Sequence, residues 1–287
     1  MGGSMHLRMF ILSVLLLLSC APLKATGLDG DVIYIEGEEW ELLNKPIEWD
    51  STLFVRLMEF LPENHCTSTA NWEGYTAHWE VRDDSLYLQR LEVCVYDTLT
   101  RECDTLAFFP DSLKALFAPY YKNGRICARW MNGTIRAGRG ELVRYEHMGF
   151  DRNVETERLM RLRGGGVVED RTYHNRKQEG LDLEGVHREL VRRFPWDDFP
   201  EYKDSFFLFW VRDVRVSPDG RLSDFVLRRF SDRGKRGEEL KDTPIGDALR
   251  KTLKSIGPWQ VLYIHNEVRP VATSFMMNFR KGDDGGQ

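Results

Sequence analysis

Residues 214–224 read Val214-Arg215-Val216-Ser217-Pro218-Asp219-Gly220-Arg221-Leu222-Ser223-Asp224. Pro218 presets φ for a tight turn, and Gly220 supplies the positive-φ position that closes it, so the stretch reads as strand, turn, strand. Phe207 to Val216 is expected to form the first strand, with Leu208, Trp210, Val214 and Val216 on one side, interrupted by Arg212. Leu222 to Phe230 returns as its partner. Upstream, Leu183, Val186, Leu190, Val191 and Phe194 recur at helical spacing, and Pro195 ends that helix. Downstream, a charged loop runs to Thr243, an N-cap with Pro244 at the first helical position. Ile245, Ala248, Leu249, Leu253 and Ile256 then form an apolar stripe that stops at Gly257-Pro258. The last strand, Val271 to Phe279, is expected to alternate Val271, Thr273, Phe275, Met277 and Phe279 inward with Ala272, Ser274, Met276 and Asn278 outward. Two helices packed on a three-stranded antiparallel sheet is a workable α+β arrangement for residues 181–281.

Residues 28–178 read as short strands and predict a separate β-rich domain, with the boundary in the polar stretch Asn175 to Gly180. Val32-Ile33-Tyr34-Ile35 leads, and Tyr75 to Val81 and Leu86 to Tyr96 form a hairpin about Asp83-Asp84-Ser85. A second hairpin is expected where Ile126 to Met131 and Thr134 to Arg136 flank Asn132-Gly133, because that pair suits a type I′ turn. Gly164-Gly165-Gly166 lacks the Lys-Ser/Thr and helix start of a phosphate loop and reads as a flexible turn. Thr52 to Leu61 and Asp111 to Ala118 are the candidate short helices.

The chain has 287 residues, 42% hydrophobic and 30% charged, a balance that excludes wholesale disorder and a multi-span membrane protein. A net charge of -5 provides no basic field for phosphates, so no nucleic-acid partner is expected. At the N-terminus, His6-Leu7-Arg8 precedes an apolar run from Met9 to Leu18, the layout of a secretory signal over residues 1–25. The run is too short for a stable membrane span. Leu17-Leu18-Ser19-Cys20 resembles a bacterial lipobox and makes Cys20 the candidate lipidation site, with a cut after Ala25 as the rival. Cys66, Cys94, Cys103 and Cys127 are then the candidate disulfide cysteines of an oxidising compartment; four thiols allow three pairings, which the sequence leaves open. No C-x-x-C pair occurs, so neither a metal nor a cofactor is expected. Residues 282–287 read as a disordered tail.

Trp72-Glu73-Gly74-Tyr75-Thr76-Ala77-His78-Trp79-Glu80, Leu86-Tyr87-Leu88 and Ala128-Arg129-Trp130-Met131-Asn132-Gly133-Thr134 resemble segments of a group of uncharacterised exported Bacteroidetes proteins, which brings no activity with it. The C-terminal motifs, from Val214 to Asp224, Ala248-Leu249, Lys254-Ser255-Ile256-Gly257-Pro258-Trp259 and Val271 through Met277-Asn278-Phe279, resemble the TonB C-terminal domain family. That resemblance implies a binding module in which a peptide adds as a strand to the sheet edge. Physics permits the same mode, since an edge strand has main-chain groups that an extended peptide can satisfy. Val271, Thr273, Ser274, Phe275, Met276 and Met277 are the candidate contacts. The leading expectation is a non-enzymatic, exported cell-envelope protein, tethered by lipid in the periplasm or outer membrane, that binds an envelope protein or peptide by strand addition or self-associates as a homodimer. Two alternatives stand beside it. One is a TonB-type energy transducer for outer-membrane transport. The other is an envelope hydrolase using His78, Glu80 or Cys127, although His78, opposite the face of Tyr75, Ala77 and Trp79, reads more simply as a solvated or cross-strand-paired histidine.

Overall fold

The computed structural model describes residues 27–145, 149–202, 207–229 and 240–279. The signal segment with Cys20, Phe230 and the tail 282–287 lie outside the described residues. The architecture is mixed α+β, and two separate apolar cores underlie it.

The first core is enclosed by ten strands. These are β1 (Asp31–Ile35), β2 (Glu38–Leu42), β3 (Tyr75–Arg82), β4 (Ser85–Tyr96), β5 (Cys103–Phe108), β6 (Tyr121–Lys122), β7 (Arg125–Cys127), β8 (Gly133–Tyr145), β9 (Arg152–Arg163) and β10 (Gly166–His174). They run in the order β10-β9-β8-β2-β1-β3-β4-β7-β6, with β5 on β4. Only the β1–β3 pair is parallel among these pairings. The sheet curls until β10 meets β4 again, Gly166 opposite Ser85. Side chains of Ile33, Tyr75, Ala77, Trp79 and Met160 fill the interior by strand alternation, and Leu88 and Leu91 of β4 both join them because the β3–β4 register shifts between their partners Trp79 and Ala77. Helix α1 (Ser51–Phe60) turns Leu53 and Leu57 into this core, and the Asp50 side chain caps it by accepting from Leu53 N at 3.0 Å.

Tight turns of the I′ kind carry much of this sheet. Asp83 and Asp84 (φ 49° and 52°) close the expected β3–β4 hairpin. Asn132-Gly133 does not close a hairpin: β8 begins at Gly133 and pairs with β9. The hairpin of that neighbourhood is β6–β7, closed by Asn123-Gly124 with φ of 51° and 75°. Both dipeptides have the right chemistry, and pairing across the sheet selects one. Gly164 and Gly165 also adopt positive φ, but their turn is not loose. Gly164 N donates to Asn132 Oδ1, Gly165 N to the Met131 carbonyl, and Leu86 N to the Gly165 carbonyl. Strand β2 was hidden by Glu38, Glu39 and Glu41, although Trp40 and Leu42 point inward. Residues 111–118 form turns rather than a helix. Their i to i−4 bonds, Phe117 N to Leu113 O among them, never become consecutive.

The second core lies among α2 (Leu183–Arg193), β12 (Phe207–Val216), β13 (Leu222–Arg229), α3 (Pro244–Ser255) and β16 (Phe275–Phe279), whose antiparallel sheet has the order β13-β12-β16. Thr243 caps α3 by accepting from Gly246 N at 3.2 Å, as read from the sequence. Thr243→Ala is expected to lower stability by about 1 kcal/mol in denaturant unfolding; no loss would show the cap to be idle. The quoted turn has a tertiary reason for its glycine. Gly220 has φ 74°, and an added Cβ would sit 2.5 Å from the Trp259 carbonyl oxygen, while Trp259 N donates to the Gly220 carbonyl at 2.7 Å. The turn and the Gly-Pro-Trp stop therefore dock on one another.

Two strand readings need correction. On β12 the core side chains are Phe209, Val211 and Val214; of the expected inward set, Val214 is buried and Val216 packs partly buried against the core, while Leu208 and Trp210 alternate away from it. Asp213 at φ 54° forms a bulge, with the register shifting between Arg212 and Arg215, so the inward parity changes after Val211. The last strand is shorter than expected, Phe275–Phe279, with Val271, Thr273 and Ser274 ahead of it. A hairpin the sequence concealed, β14 (Val261–Ile264) and β15 (Glu267–Pro270), turns at His265-Asn266 with φ of 51° and 67°. It recruits β11 (Arg176–Gln178) from the stretch read as a boundary, in the order β11-β14-β15. Leu262 and Ile264 pack with Val143 of β8 and join the two halves.

Candidate partner-binding edge and other predicted sites

Strand β16 pairs with β12 from Phe207 opposite Phe279 to Val211 opposite Phe275, and has no other strand neighbour among the described residues. Phe275 and Met277 alternate into the core, so Met276 and Asn278 face out, Met276 being 61% exposed. Of the predicted contacts, Phe275 and Met277 therefore hold the strand down, and Met276 is the side chain a partner would meet. Ser274 accepts from Trp210 Nε1 at 3.0 Å, and the Thr273 carbonyl accepts from Val214 N. The flank is not bare along its whole length: His187 Nε2, from α2, contacts the Asn278 carbonyl oxygen at 2.5 Å. The opposite end strand, β13, receives Leu240 N at the Leu227 carbonyl.

The hydrolase residues are not brought together. His78 is buried on β3, its Nε2 3.0 Å from Glu92 Oε2 and its ring stacked near Tyr34. The cross-strand pair explains this histidine. Glu80 accepts from Arg82 at 2.8 Å and Gln89 at 2.6 Å. Cys127, on β7, lines a separate open cavity of about 550 Å³ with Tyr87, Tyr120, Lys122, Arg125 and Arg129. Burial pushes its thiol up despite the opposing Arg129 guanidinium, the reverse of nucleophile activation. The four described cysteines are free thiols. Three of them, Cys66, Cys94 and Cys103, have sulfurs within 4.8 Å of one another.

Two buried polar clusters gave no sequence signal, since their members lie far apart in the chain. The first is Asp31, fully buried, which accepts from Ala77 N at 3.1 Å and Trp79 Nε1 at 2.9 Å and pairs with Lys45 Nζ at 3.1 Å. Lys45 also donates to the Tyr75 carbonyl. Burial raises the Asp31 carboxyl above its ordinary range, against the pull of Lys45. The second cluster surrounds Glu157 on β9, also fully buried. Its carboxylate accepts from Asn153 Nδ2 and Val154 N and meets Arg136 Nη1 at 3.4 Å and His265 Nε2 in a short contact. His265 N in turn donates to Asn175 Oδ1, whose Nδ2 donates to the Val154 carbonyl. This network ties the β14–β15 turn to the large sheet. In both clusters the buried carboxylate has its partners, with Asp31 and Glu157 themselves fully buried.

Comparison with protein-family models, with characterised proteins and with solved structures finds no match to this chain. No helix among the described residues is long and apolar enough to cross a membrane.

Proposed function

We propose that the chain is an exported cell-envelope protein, tethered by lipid at Cys20, whose C-terminal part is a TonB-C-like binding module without catalytic activity. In this reading an extended segment of another envelope protein adds to β16. The observation that carries it is the flank of β16, which has β12 on one side, no strand on the other among the described residues, and Met276 projecting outward. Main-chain hydrogen bonds would supply affinity and the Met276 side chain part of the selectivity. The element order α2, β12, β13, α3, β16 supports the module assignment, with the hairpin β14–β15 as an insertion relative to the arrangement the family resemblance implies. Lack of converging acid, base and nucleophile among His78, Glu80 and Cys127 supports binding over hydrolysis.

The test is site-specific photo-crosslinking in cells exporting the full chain, with the photoreactive residue at position 276 or, as control, at Leu99, which is 93% exposed. The expected result is a discrete crosslinked protein from 276 alone, with the attachment mapped to one extended segment that binds the purified chain as a synthetic peptide. Equal yields from both positions would defeat the reading.

A further inference from the structure

The three clustered cysteines come from three neighbouring strands of chain. Cys94 lies on β4, Cys103 opens β5, and Cys66 lies beside β4, its N–H donating to the Cys94 carbonyl at 2.7 Å. His65 bridges to Val95, so Cys66 stands across from Cys94. On the other flank Cys94 is opposite Thr105, and Cys103 is two residues from Thr105 on the same face. The pleat thus delivers three sulfurs to one spot, and Cys127, elsewhere in the sheet, does not take part.

We propose that Cys66, Cys94 and Cys103 form a three-thiolate site for a thiophilic d10 cation, zinc or cuprous copper. The Cys66 and Cys103 sulfurs are 3.8 Å apart. With a metal–sulfur distance of ~2.3 Å, the edge of a tetrahedral site is ~3.8 Å and that of a trigonal site ~4.0 Å. The widest separation allowed by the cluster, 4.8 Å, needs a contraction of about 1 Å or less to reach either. A disulfide would use two of the three sulfurs and leave the third crowded against the bond, whereas a three-coordinate centre uses all of them. Thiolate ligands select soft cations over magnesium or calcium. Cys103 is exposed, and a cavity of about 330 Å³ lined by Cys66, Cys94, Asn71 and Thr105 gives the ion a way in. No fourth His, Cys, Asp or Glu joins the cluster among the described residues, so zinc would keep a solvent position and copper would sit trigonally. Binding releases the thiol protons to solvent, and no electron transfer is involved.

The probe is the full chain, reduced and stripped of metal, titrated with cobalt(II) as a spectroscopic stand-in for zinc and, separately, with cuprous copper against a chromophoric chelator. The expected result is one-to-one saturation in at least one arm, with thiolate-to-cobalt charge-transfer absorption marking the zinc-type site and chelator competition marking the copper-type site. Saturation should be lost in Cys66→Ser, Cys94→Ser and Cys103→Ser and retained in Cys127→Ser. Because a serine variant can misfold, alkylation of the wild-type chain provides a second readout, with zinc or copper slowing modification of Cys66, Cys94 and Cys103 together. Absence of binding in both arms would overturn the proposal, as would alkylation rates that metal leaves unchanged or a disulfide joining two of the three in chain isolated from its export compartment without reductant.

Discussion

Lys45→Met is expected to destabilise the protein by about 3–5 kcal/mol, the range for removing one member of a buried ion pair. Lys45 is 5% exposed and Asp31 0%, so removing the ammonium leaves a buried carboxylate without its counter-charge. The Ala77 amide and Trp79 indole still donate to Asp31, but neither supplies the compensating charge. Denaturant unfolding followed by tryptophan fluorescence measures the loss. The double variant Asp31→Asn with Lys45→Met should be less destabilised than the sum of the singles, because the asparagine is neutral and keeps an oxygen for one of the two donors. A loss below about 1 kcal/mol in Lys45→Met would place the pair among the weak surface contacts, contrary to its burial.

Glu157→Ala is expected to cost about 3 kcal/mol, since it strands the buried Asn153 Nδ2 and the Val154 amide and leaves Arg136 and His265 without their carboxylate. The same site predicts a pH dependence. Burial pushes the Glu157 carboxyl up, yet the His265 contact, the Arg136 charge and the Asn153 bond outweigh it, and the group is held below its ordinary 4.5. The unfolded chain therefore takes up this proton at a higher pH than the folded one. The stabilising contribution is complete above about pH 4.5 and disappears as pH falls through the depressed folded value. Stability measured between neutral pH and pH 3 should decline less steeply in Glu157→Gln than in wild type. Parallel slopes would mean that the carboxylate does not govern acid sensitivity. Because His265 belongs to the β14–β15 turn, hydrogen exchange in residues 261–270 should rise first on acidification.

Legibility in the sequence followed the range of the interaction. Helices α2 and α3 were readable from the spacing of Val186, Leu190 and Val191 and of Ile245, Leu249 and Leu253, and their caps Asp182 and Thr243 obey local hydrogen-bond rules. The Ser217–Gly220 turn was equally local. Strand facing was less secure: one extra residue at Asp213 makes the parity that is right for Val214 and Val216 wrong for Leu208 and Trp210, and nothing in its composition announces a bulge. Strand β2 carries little signal because Glu39 and Glu41 take its outward positions and Glu38 shares the parity of Trp40 and Leu42, in a five-residue stretch too short for alternation to be distinctive. The β16 edge was legible as a strand, but its open flank was not, since edge status depends on which other strands arrive.

Local chemistry, acting over a few residues, determined helices α1, α2 and α3, the stops at Pro195 and Gly257-Pro258, and the Ser217–Gly220 turn. Contacts between residues far apart in the chain decided the rest: which Asn-Gly pair closes a hairpin, how three cysteines separated by 27 and 8 intervening residues meet, and where Glu157 receives His265. Propensity is a property of neighbouring dihedral angles and can be read along one dimension. Ion pairing, sulfur convergence and edge exposure depend on distances through space, and these exist only once the sheets have closed.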